Sequence, residues 1–118
     1  MSASKNPLVR LEHIRDEIRD LTTATGGLTF ETFSASYVLR RTTEHAVLII
    51  SEAARALPPD LTERYPGPRW AAIRGIGNIL RHDYFAVDSQ VLWNILTEHL
   101  PGLGLVVERM IEDARPQA

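Results

Sequence analysis

The chain has 118 residues, a formal net charge of -2 and no cysteine. That length predicts one domain over residues 1–118, with enough chain to bury a core without covalent staples. The missing cysteines exclude disulfides, thiolate metal sites and a cysteine nucleophile, and they fit a reducing cytoplasm. The near-neutral charge argues against a dedicated duplex-DNA binder. No apolar run approaches the roughly 20 residues that cross a bilayer, so a cytoplasmic protein with no membrane segment is expected.

Leu8, Leu11, Ile14, Ile18 and Leu21 recur at helical spacing, with Glu12, Arg15, Asp16 and Arg19 between them. This predicts a first amphipathic helix over 7–23, ended by Gly26 and Gly27. Thr29 can cap a second helix of about 27 residues. That helix carries Phe30 and Phe33 early and an apolar run from Ala46 to Leu57, and Pro58 and Pro59 must stop it. Prolines 58, 59, 66 and 68 then bracket a loop. Trp70 opens a third helix through Ile73, Ile76 and Leu80, ending near His82 to Phe85. A fourth starts from Asp88 as N-cap and runs through Val91, Leu92, Ile95 and Leu96 until Pro101 and Gly102 kink or break it. Leu103, Val106, Val107, Met110 and Ile111 form a last helical segment. No stretch alternates apolar and polar residues, and no hairpin signal occurs. The expected fold is all-α, a four-helix up-and-down bundle with a kinked or broken last helix.

Charge is segregated along the chain. Acidic residues gather at Glu12, Asp16, Glu17 and Asp20 and again at Glu98, Glu108, Glu112 and Asp113. From Arg64 to His82 there is no Asp or Glu, whereas Arg64, Arg69, Arg74 and Arg81 all fall there. An anion is the expected visitor. On a helix Arg74, Asn78 and His82 share one face. Arginine offers a permanent planar cation for phosphate oxygens, and histidine can give or take a proton near neutral pH. Arg81 and Asp83 flank the imidazole and could tune it; equally, His82 could be a helix C-terminal histidine favoured by the dipole.

Gly75 and Gly77 each cost about 1 kcal/mol relative to alanine inside a helix. They mark either a break near Gly77 or a close approach of another backbone or a ligand. Glu52 lies among Ile49, Ile50, Ala53 and Ala54, where a carboxylate needs a partner, and an arginine of the third helix is the obvious one unless Glu52 lies on an exposed stripe. His13, His45 and His99 have no partner at metal-ligand spacing, and no phosphate loop, dinucleotide fingerprint or nucleophile elbow occurs. Neither metal nor cofactor is expected, and Ser51 has no base in its local sequence.

Several ordered elements resemble the HepT-like branch of the HEPN superfamily. They are Ile49-Ile50-Ser51-Glu52-Ala53, Trp70-Ala71-Ala72-Ile73, the signature Asn78-Ile79-Leu80-Arg81-His82-Asp83-Tyr84, Val87-Asp88 and Leu100-Pro101. The family signature is an arginine, four residues, histidine, one residue, tyrosine. His82 and Tyr84 match it, whereas the arginine position is Gly77. The resemblance implies a metal-independent endoribonuclease built across a homodimer, the toxin of a two-gene system. It further implies silencing through AMP modification of Tyr84 by a partner nucleotidyltransferase. On that reading His82 is catalytic with Arg81, Arg74 and Asn78, and Glu52 and Asp83 support them. The alternative is a catalytically weak or inactive helical module that docks the nucleotidyltransferase.

Overall fold

The structure, a computed structural model, describes residues 6–83 and 87–115. Helix α1 spans Pro7–Thr25: the Asn6 side chain accepts the Leu8 amide at 2.9 Å and Pro7 occupies the first turn, where its missing N–H costs nothing. Gly27, at φ +80°, turns the chain out of it. The predicted apolar stripe is the buried one, with Leu11, Ile14, Ile18 and Leu21 all inside.

The second predicted helix is two. Thr29 caps a short α2 (Phe30–Ala35), and Ser36 then adopts extended backbone (φ -100°, ψ 111°). Its N–H closes α2 on the Phe33 carbonyl, and its side chain caps α3 (Tyr37–Arg55) by accepting the Leu39 amide at 3.1 Å. One serine both ends a helix and starts the next, so the chain bends there. The proline-bracketed loop also holds a single helical turn, α4 (Pro59–Glu63), with Pro59 in the tolerated first position.

Helix α5 (Trp70–His82) passes without a break through Gly75 and Gly77. Asp88 caps α6 (Ser89–Asn94) by accepting the Val91 amide at 3.0 Å. A π-helical turn, Ile95–His99, joins it to α7 (Leu100–Ala114). The expected break at Pro101 and Gly102 is therefore displaced: both lie inside the first turn of α7. Pro101 has no N–H for the Thr97 carbonyl, and the chain answers by widening the turn ahead of it.

The described residues contain no strand. The architecture is a four-helix bundle of α1, α3, α5 and the bent α6–α7 unit, with α2 and α4 as short connectors. Helix α1 packs on α3 and α7, whereas α5 packs chiefly on α3. The core joins Leu11, Ile14 and Ile18 to Ile50, Leu92 and Val107. Phe33 is fully buried against Trp93, the ring centroids 5.4 Å apart, which pins α2 to α6. Because α5 leans on one neighbour, an apolar groove of about 670 Å³ opens between it and the last helix. Ile73, Ile76, Val91, Ile95 and Val106 line its walls above Ile50.

Candidate functional site

Helix α5 carries most of the candidate residues, and its first half is fastened to its surroundings. The buried Trp70 donates its indole N–H to the Tyr65 carbonyl at 2.9 Å. Arg74 is half-buried and turned inward: Nε donates to the Ala54 carbonyl at 3.3 Å and Nη2 to Thr62 Oγ1 at 3.1 Å. It caps the end of α3 and grips α4. The Tyr65 hydroxyl donates to the Asp113 carboxylate at 2.6 Å, which pushes the phenol pKa up and ties the connector to α7.

Ser51, fully buried on α3, makes the closest link. Its Oγ donates to the Arg74 carbonyl at 3.0 Å and accepts the Gly77 amide at 3.0 Å. A Cβ on residue 77 would stand 2.9 Å from Ser51 Cβ and nearer still to Oγ. Gly77 is thus the point where two helices approach too closely for any side chain, and it faces α3 rather than solvent. Of the two readings of this glycine, close approach is the observed one. Gly75 differs, since a Cβ there would meet nothing within 4 Å and no contact explains its lack of a side chain.

One turn later the helix changes character. Asn78, Arg81 and His82 are exposed, as is Asp83, whose N–H closes the helix on the Ile79 carbonyl at 2.7 Å. Arg81 Nη1 is paired with Glu52 Oε2 on α3, so the sequence's two readings of Glu52 both hold: it has an arginine partner, and its side chain remains 45% exposed. The stripe of Arg74, Asn78 and His82 exists as spacing but runs from anchored to free. Arg81 and His82 are neighbours in sequence and project from different sides of the helix. Tyr84 lies outside the described residues.

Sequence reasoning missed Ser51, set aside for want of a base, and Thr62. A small hydroxyl residue beside Ala53 and Ala54, facing a helix with two glycines, is the signal that could have found the seam. Chemically, the exposed end offers an imidazole, a guanidinium and an amide within five positions of a rigid helix. That set can bind a phosphate and move a proton beside it. Among the described residues no cluster of His, Asp and Glu side chains stands where it could hold one metal ion, and no helix is long and apolar enough to cross a membrane.

Comparison with known proteins adds an independent line. The family model described as "Ribonuclease HepT-like" matches residues 14–110. The chain is similar to "Putative RNase TTE0752" of Caldanaerobacter subterraneus, 32% identical over 92% of this chain and 96% of that protein. It is also 32% identical to "Putative RNase MJ1380" of Methanocaldococcus jannaschii, over 83% of this chain and 90% of that one. With "Probable ribonuclease HepT" of Thermococcus cleftensis it shares 31% identity over 79% of this chain and 84% of the relative. No solved structure matches it significantly.

Proposed function

The chain belongs to the HepT-like ribonuclease family, and on that premise we propose that it is a metal-independent endoribonuclease acting on single-stranded RNA as a homodimer. The observation that carries this reading is the exposed Asn78–Arg81–His82 end of α5, mounted on an anchored half-helix, in a sequence stretch from Arg64 to His82 that holds four arginines and no Asp or Glu of its own. His82 takes the proton from a 2′-hydroxyl, whose oxygen attacks the adjacent phosphorus. The leaving 5′-oxygen receives a proton from His82 of the partner subunit. Arg81 stabilises charge on the phosphoryl oxygens, Asn78 orients the phosphate or the imidazole, and Arg74 adds fixed positive charge at the base of the stripe. Asp83 flanks His82 as a tuning carboxylate.

The symmetric scheme needs a second copy, because one chain brings one histidine to this end of α5. The apolar groove beside α5, walled by Ile73 and Ile76, supplies a surface a second copy can cover. In the cell the chain serves as the cytoplasmic toxin of a two-gene system. A partner nucleotidyltransferase silences it by attaching AMP to Tyr84, which puts negative charge and bulk two residues from His82 and repels an anionic substrate.

RNA cleavage by purified wild type against His82→Ala tests the core of this. The substitution should lower the rate by at least about 100-fold, and cleavage that survives it overturns the reading. Incubation with the partner enzyme and ATP should add one AMP to the peptide holding Tyr84, and an unmodified peptide removes that part. Gly77 at the signature arginine position favours a second reading, a non-catalytic module that docks the nucleotidyltransferase. Partner binding without any RNA cleavage by either form would select it.

A further inference from the structure

Two arginines of the acid-free stretch, Arg74 and Arg81, differ in what occupies them. Arg74 spends its donors on a carbonyl and a hydroxyl, neutral acceptors buried at a helix junction. Arg81 is held by a carboxylate, Glu52, at a partly open site where the two side chains are 36% and 45% exposed. An exposed ion pair of this kind is worth about 0–1 kcal/mol, so a competing anion can exchange with it. Phosphate is a strong competitor, since its oxygens accept two guanidinium N–H groups at once.

The position of Glu52 is also fixed. It follows Ser51 directly, and Ser51 is bonded to both Arg74 and Gly77 of α5. The seam therefore sets the two backbones in register, with the Glu52 carboxylate within reach of Arg81. Arg81 precedes His82 in the last turn of α5, so an anion that captures its guanidinium is held at the same end of the helix as the imidazole, though on a different side of it.

We infer that Glu52 is an internal stand-in for the substrate phosphate. It holds Arg81 until substrate arrives, a phosphodiester replaces it when RNA binds, and its charge sets how tightly the site takes an anion. No covalent step is involved. The inference rests on the nuclease reading for the identity of the anion.

The test is a double-mutant cycle read by binding rather than by cleavage. The probe is a fluorescein-labelled single-stranded oligonucleotide whose 2′-hydroxyls are replaced by hydrogen, so that it cannot be cut. Inorganic phosphate, titrated into all four proteins of the cycle and followed by the backbone NMR shifts of Asn78 and His82, is the second probe. Glu52→Gln, which keeps shape and removes charge, should tighten binding about three- to fivefold. The gain should vanish when Arg81→Ala is also present. Equal tightening in the Arg81→Ala background would mean that Glu52 acts only through the general field, and weaker binding by Glu52→Gln would make it an aid to Arg81; either overturns the inference. So does failure of the wild type to bind both probes. If phosphate obeys the cycle and RNA is never cleaved, the stand-in survives and the nuclease reading falls. If RNA is cleaved and the cycle is flat, the reverse holds.

Discussion

Trp70 to Gly77 and Asn78 to His82 belong to one helix and are held by different means. The first half meets its neighbours through the indole of Trp70, the inward guanidinium of Arg74 and the two bonds of Ser51. The second half packs Leu80 against the core but presents Asn78, Arg81 and His82 exposed, with one ion pair to another helix among the described residues, Arg81 with Glu52. Buried hydrogen bonds with neutral acceptors fix geometry, because breaking them leaves groups unsatisfied. Exposed charges can trade partners with a ligand at little cost. The two halves of α5 thus divide the labour of a binding site: rigid support below, exchangeable chemistry above.

The strongest way to break this comparison is to write the signature arginine back in. Gly77→Arg is expected to cost about 3 kcal/mol, since overpacking a close helix contact costs up to about that much and Ser51 is pushed off both of its partners. A urea midpoint measures it, and adding Ser51→Gly should recover a large part. A Gly77→Arg chain as stable as wild type would mean that the lower half is not locked as described.

Arg74→Ala should come next, with a loss of about 2 kcal/mol in the same measurement, the value of buried hydrogen bonds from a charged donor. Arg81→Ala is the opposite case. It should leave the urea midpoint within about 0.5 kcal/mol of wild type while lowering kcat/KM for RNA by about tenfold, or about 1.4 kcal/mol of transition-state stabilisation. If the two alanine variants traded these signatures, the division between support and chemistry would be inverted.

The smallest effect sharpens the outer limit of the support. Tyr65→Phe removes the exposed bond to Asp113 and, screened by solvent, should cost about 0.5 kcal/mol at neutral pH. That bond holds the phenol pKa above its ordinary value of 10.0. Folding therefore favours the protonated form, and the stabilisation is complete below pH 10 and fades as pH rises through the raised value. Thermal melts of wild type and variant should differ at pH 7 and converge in strong alkali.

Much of the fold was legible because burial follows the helical period: Leu11, Ile14, Ile18 and Leu21 stand where their spacing put them. The interruptions were harder. Ser36 carries a capping signal, but it sits inside a run that otherwise reads as one helix, and the bend shows only in its backbone. Pro101 announced a disturbance and not its position, because the missing donor is answered upstream, in Ile95–His99. At the site, the partnership of Glu52 with an arginine of α5 could be anticipated from an unpaired carboxylate among apolar neighbours. The inward turn of Arg74 could not, since polar residues at helical spacing say nothing of which end of the stripe meets a neighbouring helix. The family match leaves the roles of Arg81, Asn78 and His82 to experiment.

The amide of Gly77 bonds across to a hydroxyl on α3, at 3.0 Å. Other amides in a helix interior exchange with solvent deuterium when their own helix frays or the whole chain opens. This one can exchange only when α3 and α5 also part at Ser51. A single backbone proton, followed in heavy water, therefore times the opening of the joint on which the reactive end is mounted, separately from the melting of the helix that carries it.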